Sequence, residues 1–259
     1  MLKISIITVS YNSEKFIRDT ILSVINQSYN NIEYIIIDGK SNDNTISIIK
    51  EYSDYISYFI TEKDESMYDA INKGCKIATG DYILILNSDD YFCDSEVLNK
   101  VVTSINGRLP AGFYGNRKEV NSKGDFLKLK KSFQTDFKTL LFSRNMTFIS
   151  HPCLFVSREL YSEMNYYNLN YSYASDLDFV LRCLKVSKFL YLDVDVSCFR
   201  LHESSITSSG KINLERENIL DIHGINSYSK LVQKIKFFFV WMKYFKRNPM
   251  SFYKKYLKK

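Results

Sequence analysis

Two adjacent carboxylates, Asp89 and Asp90, follow a strongly apolar segment and stand beside Asn87 and Ser88. Carboxylates held at the end of a buried strand suit a hard divalent cation that keeps several waters and binds phosphate oxygens, as Mg²⁺ and Mn²⁺ commonly do. The same residue types also make good turns. The motif by itself therefore leaves a metal site and a plain turn open.

Polar residues also follow two other apolar segments, at Thr8 to Asn12 and at Asp38 to Thr45. In open α/β sheets, ligands bind beyond the carboxyl ends of the strands. Turn and N-cap chemistry can explain Ser41, Asp43 and Thr45 taken alone. Three polar strand ends together favour a ligand site.

The elements that must position these residues alternate between strand and helix patterns over the first hundred residues. The predicted strands are Ile4–Val9, Ile32–Ile37, Ile56–Ile60 and Tyr82–Leu86, and the predicted helices are 13–25, Asp43–Tyr52, Met67–Ala78 and Ser95–Ile105. Strands that alternate with helices of about ten residues predict an α/β fold. Its sheet should be mainly parallel, with helices on both faces.

Beyond residue 100 the pattern is weaker. It predicts short strands near Phe113 and at Leu154–Val156, a helix at Asp176–Val186 and a strand at Phe189–Val196. The C-terminal tail is predicted to be helical because apolar residues recur there at spacings of three and four, namely Leu231, Ile235, Phe238, Met242 and Phe245.

The common nucleotide fingerprints are absent from this sequence. Gly39, Lys40 and Ser41 form a GKS triplet, but the earlier glycine that a P-loop needs before this triplet is absent. No GxGxxG follows any predicted strand. A dehydrogenase and a P-loop NTPase are therefore disfavoured.

The basic charge of the chain lies in its tail. The net charge is +6, yet residues 230–259 hold ten Lys and Arg and no acid, so the preceding residues have 25 basic against 29 acidic side chains. Nine aromatics are interleaved there: Phe237, Phe238, Phe239, Trp241, Tyr244, Phe245, Phe252, Tyr253 and Tyr256. Its longest uncharged apolar run has six residues, against about 20 needed to span a bilayer.

This tail has three interpretations: a solvated charge run, a nucleic-acid arm and an amphipathic segment lying on anionic lipid. The aromatics disfavour the first, and the absence of a nucleic-acid fold signature disfavours the second. We therefore expect a membrane surface as the partner of the tail, and no nucleic acid.

The cysteines and the N-terminus indicate a reducing compartment. The five cysteines form no CxxC pair and no spacing that suits zinc. The apolar stretch Ile4–Val9 is too short for a signal peptide and has no small-residue cleavage site. We expect reduced thiols and a cytoplasmic location.

Seven segments carry a resemblance to a known family, in that family's order, over about residues 3 to 208. They are "SIITVSYN", "DGKSNDNT", "EKDESMYDAINKG", "ATGDYILILNSDD", "ISHPCLFVSRELY", "YASDLDFVLRC" and "FRLHESSIT". The chain resembles bacterial inverting glycosyltransferases of family 2, which have the GT-A fold, and among them the enzymes of O-antigen and capsule synthesis. The implied division is a GT-A domain at 1–229, with a nucleotide-sugar half at 1–106 and an acceptor half at 107–229, followed by the tail at 230–259.

The resemblance implies roles for matching residues. Those that would line or border the nucleotide-sugar donor are Thr8, Ser10, Asn12, Asp38 on the uracil edge, Asp64, Tyr68, Asn72, Lys73, Asn87 and Ser88. Asp89 would be the metal-binding carboxylate of a DxD-like motif, helped by Asp90 and His202, with Mn²⁺ or Mg²⁺ as the cofactor. Asn87 stands where the family has Asp, which leaves fewer charged ligands.

Asp176 matches the catalytic base of the family, which would take the proton of the attacking hydroxyl. Without the resemblance, Ser175 or Asp176 would be interpreted as a helix cap. Asp178 is the alternative base or an acceptor contact, and His151 matches a loop that borders the acceptor site.

The implied activity is inverting transfer from a nucleotide sugar, either a UDP-hexose or a UDP-N-acetylhexosamine, to a saccharide hydroxyl. The implied acceptor is an O-antigen or capsule intermediate on a polyprenyl diphosphate, at the inner face of the cytoplasmic membrane. Two alternatives stay open. A sugar nucleotidyltransferase would need a glycine-rich basic loop near the N-terminus, which is not found. An inactive module that binds a nucleotide sugar or lipid is favoured only by Asn87.

Overall fold

The computed structural model describes residues 1–143, 148–202 and 211–248. Part of the "FRLHESSIT" segment, from residue 203, and the tail beyond residue 248 lie outside these ranges. The strands are β1 Ile4–Ser10, β2 Ile32–Asp38, β3 Tyr58–Thr61, β4 Tyr82–Ile85, β5 Tyr91–Phe92, β6 Gly112–Val120, β7 Phe126–Lys130, β8 Leu154–Ser157 and β9 Phe189–Arg200. The helices are α1 Ile17–Ile25, α2 Thr45–Lys50, α3 Met67–Ile77, α4 Val97–Ile105, α5 Phe137–Leu141, α6 Arg158–Glu163, α7 Ser175–Val186, α8 Lys211–Ile222 and α9 Lys230–Arg247.

The strands form one sheet in the order β3-β2-β1-β4-β8-β6-β9-β5, and β7 pairs with β6 off this path. The first four strands in this order are parallel, as predicted. The sheet as a whole is mixed, because β8 inserts antiparallel between β4 and β6. In the parallel part, Ser10 is in register with Asp38, and Asp38 with Thr61, so the polar strand ends meet at one edge.

Helices cover both faces of the sheet and enclose two apolar cores. Along β1, Ile6 packs with α1 and α4 on one face, whereas Ile7 packs with α3 and α7 on the other. Every residue of β1 is buried. Burial on both faces explains why the strand is a nearly continuous apolar run rather than an alternating one.

The largest differences from the sequence pattern lie beyond residue 100. β6 has nine residues, and its polar second half pairs with β7. Strand β7 and helices α5, α6 and α8 were not predicted, because they are short or carry weak apolar periodicity. Near the N-terminus, α1 begins at Ile17 rather than at Ser13, and the segment between them is a turn in which the backbone carbonyl oxygen of Ser13 accepts hydrogen bonds from the amides of Phe16 and Ile17.

The predicted helix of the tail is α9, which begins after Ser229. Val240 is buried, and the ring of Tyr244 lies 5.5 Å from that of Phe148. At its end, Asn248 accepts a hydrogen bond from the amide of Lys131. One face of α9 is therefore packed against the sheet domain. Across the ranges given above, no helix is long and apolar enough to cross a membrane.

Candidate active site

The carboxyl ends of β1 and β2 are joined by the side chain of Asp38, which is completely buried. Its Oδ1 accepts hydrogen bonds from the hydroxyls of Ser10 (2.9 Å) and Ser41 (2.6 Å). Its Oδ2 accepts from the Thr61 hydroxyl (2.8 Å) and the Ser41 amide (2.9 Å). Protein donors thus take all four acceptor positions of the carboxylate. This differs from the predicted contact with uracil, since Asp38 fastens the strand ends together.

Of the other residues predicted at the end of β1, only Asn12 reaches the surface. Thr8 is enclosed, with its hydroxyl 3.2 Å from that of Tyr34. Ser10 is buried against Asp38. Asn12 has a positive φ of 48°, and its Oδ1 accepts a hydrogen bond from the Asn42 amide (2.9 Å). Asn12 therefore fixes the loop after β2 and is also exposed beyond the end of β1.

Tyr11 is a surface residue that sequence reasoning missed. Its side chain is 62% exposed at the end of β1. A Cβ atom at Gly39 would lie 3.4 Å from Tyr11 Cδ2 and 3.3 Å from Asp64 Oδ2. Glycine at this position therefore leaves an aromatic face and a carboxylate close together at the cleft. The signal was present in the sequence, as an aromatic between two polar residues in "VSYN".

Lys73 on α3 lies at the centre of an acidic cluster. Its Nζ is 2.7 Å from Asp64 Oδ1, 2.7 Å from Glu62 Oε1 and 3.2 Å from Asp69 Oδ2. Burial raises the pKa of Asp64, although Lys73 opposes this shift. The predicted donor residues Asp64 and Lys73 are therefore brought together by an ion pair.

The two other predicted residues of α3 contact the later part of the chain. Asn72 is buried, where its side chain donates to the carbonyl oxygen of Tyr167 and accepts from the Tyr167 amide, both at 2.9 Å. Tyr68 is also buried, with its hydroxyl 3.4 Å from Asp176 Oδ1. These residues connect α3 to α7 and to the segment that precedes it.

The adjacent carboxylates after β4 have opposite environments. Asp89 is partly exposed, and its Oδ2 lies 2.8 Å from Nε2 of His202. Asp90 is completely buried, where its Oδ1 accepts a hydrogen bond from the Arg200 amide (3.1 Å). Burial and the neighbouring Asp89 raise the pKa of Asp90. The prediction that both carboxylates face a metal therefore fits Asp89 and not Asp90, which is directed into the protein.

Arg200 holds this turn and was not singled out in the sequence. Its Nε donates to the carbonyl oxygen of Asp89 (3.0 Å), and its Nη2 pairs with Asp19 (2.7 Å). The guanidinium also lies over the rings of Phe16 (4.7 Å) and Tyr91 (5.1 Å). The last residue of β9 thus fixes the backbone that carries Asp89.

The polar atoms around Asp89 suit a divalent cation that shares its coordination with a ligand. Asn87 Oδ1 is buried and has no hydrogen-bond partner, which suits a bond to a hard cation. The hydroxyl of Ser88 lies 2.8 Å from the hydroxyl of Ser13, with which it forms a hydrogen bond. Within residues 1–143, 148–202 and 211–248, no three His, Cys, Asp or Glu side chains are arranged to hold a metal by themselves. The remaining ligands would have to come from water or a bound diphosphate.

Asp176 lies in the first turn of α7, where the helix dipole favours a negative charge. Asp176, His151 and Arg216 line a cavity of about 20 Å³, which has room for one water. His151 Nε2 lies 2.8 Å from the hydroxyl of Tyr167. Burial lowers the pKa of His151, which keeps its imidazole neutral near pH 7. The predicted residues Asp176 and His151 are therefore brought together.

Asp178 faces away from this cavity. It is buried, with Arg182 Nε 2.8 Å from Oδ2 and His223 Nε2 2.8 Å from Oδ1. Two residues along a helix turn the side chain to another face. Asp178 therefore joins α7 to the end of α8, unlike the predicted acceptor contact or alternative base.

Comparison with known proteins gives one family and one fold. Residues 5–164 match Glycosyl transferase family 2. An uncharacterized glycosyltransferase of Haemophilus influenzae is 32% identical over 212 residues, which cover 80% of this chain and 82% of that protein. S. aureus TarS 1–349, solved in complex with UDP-GlcNAc, has a TM-score of 0.72 at 18% identity, covering 99% of this chain and 76% of that chain.

A second solved structure is the mannosyltransferase PcManGT from Pyrobaculum calidifontis, in complex with GDP-Man and Mn²⁺. Its TM-score is 0.61 at 13% identity, covering 86% of this chain and 63% of that chain. These likenesses confirm the predicted α/β fold of the GT-A type. The family match extends over more than half of the sequence, and the chain belongs to glycosyl transferase family 2.

Proposed function

We propose that this family 2 glycosyltransferase transfers a sugar from a nucleotide sugar to a saccharide hydroxyl, with inversion at the anomeric carbon. One observation carries the proposal: the Asp89–His202 pair lies at the same edge of the sheet as Asp176. Asp89 follows the carboxyl end of β4. Asp176 contacts Tyr68 in the first turn of α3, the helix that follows β3. A diphosphate site and a proton acceptor therefore lie at one edge.

The donor side suits a nucleoside diphosphate sugar. The exposed ring of Tyr11 offers a stacking surface for a base, and the carboxylate of Asp64 beside it offers a hydrogen-bond acceptor. TarS was solved with UDP-GlcNAc and PcManGT with GDP-Man. Together with the resemblance, the first of these favours a UDP-hexose or UDP-N-acetylhexosamine as the donor.

Asp89, His202 and the side-chain amide oxygen Oδ1 of Asn87 would hold Mn²⁺ or Mg²⁺ against the diphosphate. Such an ion neutralises charge on a leaving diphosphate and orients it. PcManGT was solved with Mn²⁺. Arg200 keeps the Asp89 backbone in place, so the carboxylate does not have to reorganise when the donor binds.

Asp176 would act as general base. The oxygen of the acceptor hydroxyl forms a bond to C1 of the sugar as the bond from C1 to the diphosphate breaks on the opposite face. The proton of that hydroxyl passes to Asp176, and the electron pair leaves with the nucleoside diphosphate. A positioned base of this kind contributes about 10²- to 10⁴-fold. An α-linked product from an α-linked sugar nucleotide would contradict inversion.

The test is a binding and hydrolysis screen of UDP, GDP and dTDP sugars, with and without Mn²⁺. Asp89→Asn should lose metal-dependent donor binding, whereas Asp176→Asn should bind donor normally and lose turnover. Asp178→Asn is the matched control, because its side chain faces away from the cavity. Failure of every nucleotide sugar to bind would reject the transferase and favour the inactive lipid-binding or interaction module.

We further propose that the acceptor is lipid-linked, as in O-antigen or capsule assembly, and that α9 rests on the inner leaflet of the cytoplasmic membrane. The face of α9 away from the sheet exposes five large apolar side chains at helical spacing: Leu231, Ile235, Phe238, Phe239 and Met242. The helix carries six basic residues and no acid. Each basic residue near anionic lipid contributes about 1 kcal/mol. A second positively charged copy would instead repel this face.

Flotation with vesicles tests this surface. Wild type should float with vesicles containing anionic lipid and less with neutral ones, because charge and apolar burial act together. The double variant Phe238→Ser/Phe239→Ser should stay in solution. Leu214→Ser, which removes an exposed apolar side chain from α8, is the control. Equal flotation of the double variant and the wild type would reject α9 as the docking face.

A further inference from the structure

Two cysteines that the catalytic proposal does not use lie in contact on neighbouring strands. β5 runs antiparallel to β9, with Phe92 in register with Ser197. Directly after β5, the amide of Cys93 donates to the carbonyl oxygen of Val196 (3.0 Å). This pairing places Cys93 Sγ 3.4 Å from Cys198 Sγ. Both are free thiols.

The thiol pair is linked by short stretches of backbone to the turn that carries Asp89. Cys93 comes three residues after Asp90 on one strand. On the other strand, Arg200 comes two residues after Cys198 and donates to the side chain of Asp90 (3.1 Å) and the carbonyl oxygen of Asp89 (3.0 Å). A change in the spacing of β5 and β9 at the thiols would therefore be transmitted to both sides of this turn.

We propose that Cys93 and Cys198 are an oxidation site, which forms a reversible disulfide by exchange with a small oxidised thiol and thereby displaces the Asp89 turn. Cys93 is partly exposed, whereas Cys198 is buried. Cys93 attacks one sulfur of oxidised glutathione as its thiolate, the sulfur–sulfur bond of the oxidant breaks, and the proton of Cys93 leaves with the released reduced glutathione. Cys198 then attacks the Cys93 sulfur of the mixed disulfide and releases the second. Two protein S–H bonds become one S–S bond, and the oxidant is reduced by two electrons, with both protons on the released thiols.

The two thiols differ in their local chemistry. The hydrogen bond that Cys93 donates to Cys198, together with burial, raises the pKa of Cys93, whereas the same hydrogen bond and the positive charge of Lys118 lower the pKa of Cys198. Cys93 is therefore the more accessible thiol and Cys198 the better nucleophile. Once Cys93 is part of the mixed disulfide it no longer donates, and the charge of Lys118 still favours the Cys198 thiolate that the second step requires.

The structural consequence follows from the length of the bond. Sulfur atoms in a disulfide lie about 2.05 Å apart, whereas these two lie 3.4 Å apart, so oxidation closes a gap of about 1.4 Å through side-chain rotation and movement of the two strands. Because Arg200 is tied to Asp89 and Asp90, we expect metal-dependent donor affinity to fall at least fivefold. This second effect rests on the proposed function, whereas formation of the disulfide does not.

The first measurement is the mass and peptide map of the full chain after treatment with oxidised glutathione. The expected product is two mass units lighter, with one cross-linked pair of peptides that contains Cys93 and Cys198, and dithiothreitol should reverse it. Cys93→Ser and Cys198→Ser should each stop at a glutathione adduct or remain reduced. Cys75→Ala, which removes a core thiol elsewhere, should still form the bond. A map without this pair, or with another pair, would overturn the proposal.

The second measurement compares the turn itself in the two redox states. Hydrogen exchange of peptides spanning residues 86–92 should change on oxidation in the wild type and not in Cys198→Ser. Unchanged exchange in the oxidised protein would overturn the coupling to the Asp89 turn. Absence of donor binding by the reduced protein would instead reject the proposed function, because neither the peptide map nor hydrogen exchange depends on a donor.

Discussion

The proposed donor and acceptor sides of the site are built from different kinds of contact. On the donor side, strand ends far apart in sequence are tied by hydroxyl groups bonded to a carboxylate, as Ser10 and Thr61 are to Asp38. On the acceptor side, aromatic rings connect segments that are far apart in sequence. Tyr68 stacks on Tyr167 with centroids 5.5 Å apart, and the Tyr167 hydroxyl contacts both His151 and Tyr161.

The difference shows how the surroundings of a carboxylate determine what it can do. Asp38 is saturated by its neighbours and is therefore part of the framework. Asp176 Oδ1 accepts from the Leu177 amide (2.9 Å) and weakly from the Tyr68 hydroxyl (3.4 Å), and the side chain borders a cavity, so Asp176 is less saturated than Asp38 and keeps capacity for a substrate proton. Residue type is the same in both places. Burial and the number of hydrogen-bond donors distinguish the structural carboxylate of Asp38 from the proposed reactive carboxylate of Asp176.

The largest expected effect is on the acceptor side. Asp176→Asn should lower kcat by about 10²- to 10⁴-fold, because an amide cannot take the hydroxyl proton. Its affinity for the donor should be unchanged. Product formation under saturating donor and acceptor measures the first quantity, and calorimetric titration of the donor measures the second. A kcat within threefold of wild type would remove Asp176 from the base role.

Asp178 lies two residues from Asp176, and its substitution should have the opposite effect. Asp178→Asn should keep a normal kcat and make the fold less stable. Hydrogen bonds to a charged group contribute about 1.5–3 kcal/mol each, and the amide weakens those to Arg182 and His223. Urea unfolding measures the loss, with Asp176→Asn as the control that should keep normal stability. Loss of kcat without loss of stability would transfer the base role to Asp178.

The loss of folding stability in Asp178→Asn should depend on pH with a definite sign. Burial works against ionisation of Asp178, but hydrogen bonds from His223 and Arg182 outweigh it and hold the pKa below its ordinary value. A carboxyl with a depressed pKa contributes stability above its unfolded value of about 3.9, and this is lost as pH falls through the folded value. The difference between Asp178→Asn and wild type should therefore be largest near neutral pH and shrink below about pH 4.

The fold of the first hundred residues could be predicted because its signals are local. Apolar runs and helical spacing identify β1, β2, β4 and α3, and burial on both faces makes those runs long. The parallel order of these strands follows from their alternation with helices. The insertion of β8 could not be predicted in this way, because it depends on contacts between segments about 70 residues apart.

The residue types of the site could be predicted from the sequence, but the directions of their side chains could not. Asp89, His202 and Asp176 were identified through the resemblance, and the structure gives each a position that suits its proposed role. Asp38 and Asp90 were also singled out, yet both point into the protein. A sequence motif does not reveal how many hydrogen-bond donors its folded neighbours direct at a carboxylate. Arg200 was missed because its partners come from distant segments.

On the donor side, the expected effects are smaller and appear in affinity. Tyr11→Ala should weaken donor binding by about 5- to 30-fold, since stacking of a base on an aromatic ring contributes on the order of 1–2 kcal/mol. Its kcat at saturating donor should stay near the wild-type value. Tyr55→Ala, which removes an exposed tyrosine from the segment before β3, is the control. Equal donor affinity in Tyr11→Ala and Tyr55→Ala would reject stacking on Tyr11.

The smallest effect tests whether the aromatic side of the cleft positions His151. Tyr167→Phe removes the hydroxyl that contacts both His151 Nε2 (2.8 Å) and the Tyr161 hydroxyl (3.0 Å). Tyr161→Phe removes only the second contact, so the pair isolates the effect on His151. Tyr161→Phe should lose about 1 kcal/mol of stability and Tyr167→Phe about 2 kcal/mol, measured by urea unfolding. Only Tyr167→Phe should raise the KM for the acceptor, by about threefold. If both variants raise it equally, the ring stack itself positions the acceptor, and His151 is part of the packing.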